Sequence, residues 1–484
     1  MKEAGKSLFI RPASWFPVAF AALMLGGCAI AGRDYVRPET SVSDTWQSSL
    51  EGGLTAKEMS PDTLAAWWTT LDEPQLSSLI ERAVKGNLDL KQARARIREA
   101  RARRGAARAD YLPTIEAGGS AARSRSGEEI GTGETNEMYT ASFDAGWELD
   151  IFGGVRRSVE AYTADLQAAR EDLRDVLVSL LAEVALNYVD VRTYQTRLTV
   201  AEANLESQKE TYQLALWRHE AGLSDELAVQ QARYNLESTR SQIPTLQTGL
   251  EEAMNSIAVL LGEQPGKVHG ELAKREPIPV TPLSVAVGVP ADVIRRRPDI
   301  RKAERQLAAQ TARVGVAAAD LYPKFNLSGS IGLESLTLGN LFSSGHETSS
   351  EGAVISWPIF KGGSIRKNIE TQSALQEQYL IAYEAAVLGA LEEVENALVA
   401  YAKEQERRQA LSDATEAARR AVDLAQQEYG AGVADFSDVL DTQRSLLSFQ
   451  SQLAESEGTV TSNLIRLYKA LGGGWTSLAP DGGK

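Results

Sequence analysis

The chain has 484 residues, 43% of them hydrophobic and 24% charged, which is ample apolar material for a large core. Its net charge of −14 argues against a nucleic-acid partner. A single Cys excludes an intrachain disulfide, and three scattered His (219, 269 and 346) argue against a His/Cys metal centre, so no metal or cofactor is expected. Beyond the N-terminus no run of about 20 apolar residues offers a spanning helix, so any membrane crossing must be a β-barrel.

Residues 1–27 read as a signal peptide. Lys2, Lys6 and Arg11 form its basic region, and Trp15 to Leu25 is an apolar run too short to span comfortably. The run ends in Leu25-Gly26-Gly27-Cys28, the pattern of a bacterial lipobox, which predicts Cys28 as an acylated mature N-terminus. Residues 28–66 lack a clear period and read as an extended arm. Trp67-Trp68 and Leu71-Asp72-Glu73-Pro74 open a helix over 75–85; Gly86-Asn87 closes it and caps an Arg-rich helix over 88–112. Interspersed Glu99 and alanines give that helix a solvated basic face.

Pro113 ends the helix. A strand is predicted over 114–126, a loop over 127–137, and a second strand to 151. From Tyr139 to Ile151 the odd positions are apolar or aromatic, and the even positions from Thr140 to Asp150 are polar, with three carboxylates. Such alternation suits a sheet with lipid on one face and water on the other. Gly153-Gly154 then releases a helix that holds no Pro or Gly between Val155 and Glu220. Val159, Leu166, Leu173 and Leu180 recur in steps of seven, slip by four, and resume as Val184, Val191, Leu198, Leu205 and Tyr212. A second line, three residues on, includes Tyr194 and Ala201. This is heptad spacing with one stutter. At Ala221-Gly222-Leu223-Ser224-Asp225 the chain turns, and a return helix to Leu261 carries Pro244, where a kink is expected.

The whole arrangement occurs twice. Asp89 answers to Asp299, Pro113 to Pro323, Trp147 to Trp357, and Ala221-Gly222 to Ala431-Gly432, each 210 residues on; only at Gly153-Gly154 and Gly362-Gly363 does the offset slip to 209. A duplication this long marks two equivalent halves, 67–262 and 298–472. Between them lies a Pro-bearing linker, 263–297, and after them a flexible tail, 473–484. The second copy predicts a helix to Leu321, strands over 325–333 and 352–360, a rod over 365–429, the turn Gly432-Val433-Ala434-Asp435, and a final helix over 436–471.

The predicted class is therefore mostly α with a small β part: long coiled-coil helices plus four strands per chain. Four strands cannot close a barrel, and open edges are not tolerated in lipid, so closure needs further copies. Three copies give a twelve-stranded transmembrane β-barrel above an α-helical barrel.

The chain resembles the TolC-type outer-membrane efflux proteins, in their lipidated NodT/OprM-like branch. The resemblance rests on Cys28, Asp34-Tyr35-Val36-Arg37-Pro38, Trp67-Trp68, Leu71-Asp72-Glu73-Pro74-Gln75-Leu76, Trp147-Glu148-Leu149-Asp150-Ile151-Phe152-Gly153, Val289-Pro290, Arg296-Arg297-Pro298-Asp299-Ile300 and Asp438-Val439-Leu440-Asp441-Thr442-Gln443. It implies a homotrimer in outer-membrane lipid with its helices in the periplasm. The duct would be passive and not an enzyme, fed by an inner-membrane resistance–nodulation–division transporter through a periplasmic adaptor (membrane fusion) protein. It further implies that Gly222, Leu223, Ser224, Gly432, Val433 and Ala434 form tips that touch the adaptor, and that Asp438 and Asp441 ring the periplasmic aperture. The repeat counterparts of these acids are Ala228 and Gln231, so the duplicated fold does not itself require carboxylates there. The family's tip arginine has no match beside Ala434 and Asp435. A periplasmic coiled-coil adaptor or scaffold lipoprotein is the alternative; it would lack the paired strands. No Ser/His/Asp or Cys/His constellation or phosphate loop speaks for an enzyme.

Overall fold

The computed structural model describes residues 30–475 except 41, 59, 128, 130–132, 281 and 283; Cys28 and the signal peptide lie outside the described residues. In chain order the elements are β1 (Leu54–Thr55), α1 (Pro61–Ala65), a 3₁₀ turn (Trp67–Leu71), α2 (Pro74–Gly86), α3 (Leu88–Ala109), β2 (Thr114–Arg125), β3 (Thr135–Leu149), α4 (Gly154–Glu220) and α5 (Glu226–Leu260). Then follow α6 (His269–Leu272), β4 (Val285–Ala286), α7 (Pro290–Arg296), α8 (Pro298–Ala319), β5 (Lys324–Ser335), a 3₁₀ turn (Leu338–Asn340), β6 (Glu347–Ser356), α9 (Ser364–Ala431) and α10 (Phe436–Ala470). Among the described residues no helix is long and apolar enough to cross a membrane.

Local geometry repeats with the sequence. The indole of Trp147 donates to Tyr111 O at 3.1 Å, and that of Trp357 to Leu321 O at 3.0 Å. Asn87 donates to Leu260 O at 2.9 Å, the end of α5. Its counterpart Arg297 donates to Ala470 O at 3.0 Å, the end of α10. An amide in one copy and a guanidinium in the other thus satisfy the same orphan helix-end carbonyl.

Two compact units emerge, each drawing on both copies. The first holds residues up to 38, 98–168 and 304–382. Its core is one antiparallel sheet in the order β2-β3-β5-β6, so the two hairpins join through β3 and β5. The register aligns the strand faces. Ile115, Ala145 and Gly329 lie abreast, as do Ala117, Phe143 and Ile331, and Trp147, Leu327 and Ala353. Among the described residues nothing covers this apolar face: Ile115, Phe143, Ile331 and Ile355 are 59–71% exposed. The opposite face sets Glu116, Asp144, Ser330 and Ser350 abreast. Like charges directly opposed, as Glu116 and Asp144 are, are tolerable only where water screens them.

The N-terminal arm is pinned to this unit. Ala31 N donates to Phe152 O at 2.9 Å, and the Arg157 guanidinium reaches Ala31 O at 3.0 Å and Asp34 at 2.8 Å. Gly32 lies so close to Gly315 that a Cβ on it would sit 2.6 Å from Gly315 Cα.

The second unit holds the described residues of 39–97, 169–303 and 383–475. Trp67 is fully buried and stacks on Tyr468 at 5.4 Å. The stretch between the halves is packed: Val268, Leu272, Val285, Val287, Val293 and Ile294 all join the core around Trp67. Two expectations change here. The arm 28–66 is not extended throughout, because β1 pairs in parallel with β4 and Trp46 is buried, its indole donating to Gly288 O at 2.9 Å. The tail is held at its start: Gly474 N donates to Leu64 O at 2.9 Å, and the guanidinium of Arg174 lies 4.6 Å above Trp475. A polar clasp also ties the linker to α4. Buried Arg192 reaches Gln75, Gln195, Lys274 O and Glu276, and Tyr188, on which it stacks, is pushed up to about 12 by burial.

Element ends differ from the sequence reading by a few residues. α3 stops at Ala109 and α8 at Ala319, since the residue before a proline avoids the helical region and the last turn loosens. β6 spans Glu347–Ser356, not 352–360, so Trp357 and Ile359 lie past its end. α5 runs through Pro244 without a break, and Thr248 donates to Pro244 O at 3.0 Å.

Candidate functional site: the two helix-returning turns

α4 and α9 end in the same way. At Gly222, φ is +75°, Leu223 N donates to Arg218 O at 2.7 Å and Gly222 N to His219 O at 2.8 Å. At Gly432, φ is +78°, Val433 N donates to Glu428 O at 3.0 Å and Gly432 N to Tyr429 O at 3.1 Å. These are paired Schellman closures, which need a left-handed residue and so favour glycine. A side chain at either glycine would meet open space.

The caps differ. Asp225 accepts Ala228 N at 3.0 Å, as expected of an N-cap. Asp435, at the equivalent position, makes no side-chain cap; Asp438 N reaches its carbonyl O at 3.1 Å instead. The adjoining apolar cluster is small: Ala215, Ala228, Val229, Ala232, Phe436 and Leu440. Arg218 lies 4.5 Å over the Tyr429 ring. Outside the cluster, Leu223 and Val433 are 69% and 76% exposed, on the two turns.

Asp438 and Asp441 are both exposed on α10. Asp441 is ion-paired with Arg444, whose guanidinium also lies 6.0 Å over Tyr234, its own repeat counterpart. An arginine thus stands one helical turn past Asp441, not beside the glycine turn. Nothing in a search for the family's spacing would find it; an i, i+3 acid–base pair on a helix is the signal that would.

Sequence reading also missed a polar stretch in the seam. The buried line of α4 near the turn runs Ala201, Gln208, Ala215, while Leu205 and Tyr212 are only partly buried. Gln208 is 2% exposed with both amide atoms unpaired. Gln443 donates to Thr211 at 2.9 Å but leaves its oxygen unpaired, and buried Asn235 leaves its amide nitrogen unpaired. Unpaired buried amides and a small apolar cluster make the packing at this end of the helices weaker than that around Trp67.

A model of the family described as "Outer membrane efflux protein" matches residues 79–263 and again 289–473. The chain belongs to the outer membrane efflux protein family. The two matches coincide with the two copies. Nodulation protein T of Rhizobium leguminosarum bv. trifolii is 35% identical over 473 residues, covering 96% of this chain and 99% of that protein. The solvent efflux pump outer membrane protein SrpC of Pseudomonas putida is 32% identical, covering 94% and 97%. Among solved structures, the outer-membrane channel OprN superposes with a TM-score of 0.86 at 37% identity, over 92% of this chain and 99% of that one. The open state of the Neisseria gonorrhoeae MtrE outer membrane channel gives 0.80 at 29% identity, over 92% and 99%. As an outer membrane efflux protein the chain has channel proteins for relatives, not enzymes.

Proposed function

We propose that this outer membrane efflux protein is the exit duct of a tripartite pump, three copies forming one passive channel from the periplasm through the outer membrane. The supporting observation is the four-stranded sheet, whose apolar face is uncovered and whose β2 and β6 edges are unpaired within the chain. Lipid accepts neither open edge, and three such sheets give a closed twelve-stranded wall. The Gly222 and Gly432 turns, with Leu223, Ser224, Val433 and Ala434, dock the periplasmic adaptor, which links the duct to an inner-membrane resistance–nodulation–division transporter. Asp438 and Asp441 line the periplasmic aperture, and the loosely packed polar seam beside the turns lets that end open.

Purified protein in planar bilayers is expected to give single-channel currents and to run as a heat-resistant trimer on a gel. A trimer without current would favour a scaffold. Cys28 is proposed as the acyl anchor, consistent with the arm's fixation beside Phe152 and Gly153, where β3 gives way to α4. Mass spectrometry of the mature N-terminal peptide should show a diacyl or triacyl Cys28; a mature chain starting elsewhere excludes it.

A further inference from the structure

The two hairpins of the sheet have unlike loops. Between β2 and β3, residues 126–134 carry three acids and a single large apolar residue, Ile130. Between β5 and β6, residues 336–346 carry no acid, Lys or Arg, and four large apolar residues: Leu336, Leu338, Leu341 and Phe342. Leu341 is buried, at 5% exposed, whereas Leu336, Leu338 and Phe342 are 62–80% exposed. Three such side chains exposed together on one short loop mark a contact surface and not a solvated connection.

The backbone of this loop is closed on itself. Asn340 N donates to Thr337 O at 3.2 Å, Leu341 N to Leu338 O at 3.3 Å and Ser343 N to Asn340 O at 2.9 Å. The Ser335 hydroxyl donates to Thr337 O at 3.0 Å, and Glu334 N donates to His346 O at 2.9 Å across the base of the loop. Lipid offers no hydrogen bonds, so a segment that enters it must satisfy its backbone in this way.

Phe342 borders the apolar face of the sheet. With Ala117 of β2, Phe143 of β3, Ile331 of β5 and Ser349 of β6 it lines a groove of about 620 Å³. The floor draws on all four strands, so the groove lies across the chain's own face and is not confined to an edge that a second copy would cover. The one carboxylate lining it among the described residues, Glu347, accepts Gly345 N at 2.9 Å.

We propose that the β5–β6 loop is a lipid wedge: Leu336, Leu338 and Phe342 enter the outer leaflet of the outer membrane, and the groove beside Phe342 seats an acyl chain of a lipid there. The helices join the strands at one end and lie in the periplasm; the loops close the hairpins at the other end, which is the outer-leaflet side. The groove is continuous with the sheet face that lipid already meets, and an acyl chain matches its lining, having no hydrogen bonds to give or accept. The acidic β2–β3 loop stays in water, so the two hairpins of one chain divide the labour that a uniform barrel rim would share. This rests on the lipid-facing reading of the sheet above and carries that face past the ends of the strands.

The test uses the full-length protein in phosphatidylcholine vesicles, with a nitroxide label on one introduced cysteine at a time; unsubstituted protein gives the background from Cys28. Labels at Leu338→Cys and Phe342→Cys should collide freely with dissolved oxygen, which concentrates in lipid, and hardly with a water-soluble nickel chelate. A label at Gly127→Cys in the other loop, where a side chain meets open space, should do the reverse. Leu338 and Phe342 labels open to the nickel chelate put the loop in water and overturn the wedge. Labels shielded from both probes put it against protein, whether a neighbouring copy or a lid over the pore, and overturn it equally. For the groove, native mass spectrometry of protein taken from outer membrane should find lipid on the wild type and most of it lost from Phe342→Ser, whose trimer and current should be unchanged. Equal retention in both, or none in either, overturns the acyl-chain seat. Channel current from wild type with the loop in water overturns the wedge alone; labels in lipid on a protein that carries no current overturn the duct and leave the wedge.

Discussion

Gly432→Trp is expected to abolish efflux in cells while leaving the quantity of trimer unchanged. The residue holds φ +78° at the end of α9, and the space around it is empty. A substitution therefore carries two separable effects. Any L side chain in this conformation costs roughly 1–2 kcal/mol, which a packed helical assembly absorbs. Bulk on the exposed side of the turn blocks whatever docks there. Gly432→Ala carries the first effect alone, so it should keep near-normal export measured as resistance to an exported dye or drug. Equal loss in both variants, or loss of trimer in either, would make the turn structural only.

The second expectation concerns channel current. In the proposed trimer, Asp438 and Asp441 would supply six carboxylates to the aperture, and these should bind a trivalent hexaammine cation added from the periplasmic side. Asp438→Ala with Asp441→Ala should abolish the resulting block without preventing assembly. The two acids are not equal. Asp441 is already paired with Arg444 on its own helix, whereas no such ion pair engages Asp438 among the described residues. Asp438→Ala should therefore weaken the block more than Asp441→Ala. Arg444→Ala, which releases Asp441, should strengthen it by about fivefold or less, since an exposed pair is worth up to about 1 kcal/mol. Unchanged block in the double variant would remove both residues from the pore.

Periodicity carried most of the fold. The rods, the return helices and the four strands were legible because each buries or exposes one face over many residues, and because the 210-residue offset reported them twice. Single contacts were not legible. Trp46 reads as an isolated aromatic in a featureless arm, yet it is buried through a backbone carbonyl 242 residues away. β1 and β4 are two residues each, too short for any period. The seam of α4 was followed to Ala201 and then lost, because Gln208 is polar and hydrophobic pattern cannot register a buried amide. At the candidate site, the glycines were readable from the conformation a Schellman closure demands. The failure of Asp435 to cap was not, because Asp225 and Asp435 sit in nearly the same backbone geometry and only Asp225 accepts a cap bond. Asp438 and Asp441 came from resemblance, and their unequal pairing from the coordinates.

The joining of β3 to β5 also governs how the molecule can be made. Phe143 pairs with Ile331, a separation of roughly 190 residues, and contacts so distant form late. A chain synthesised from its N-terminus presents the β2–β3 hairpin long before β5 exists. Until then that hairpin has an aromatic face and a free edge, the features that drive strand-to-strand aggregation. Among the described residues the finished chain keeps two free edges, so in the proposed trimer the last folding step is an association of chains and slows as the protein is diluted. The yield of assembled protein should therefore fall with expression level more steeply than that of a barrel closed by one chain.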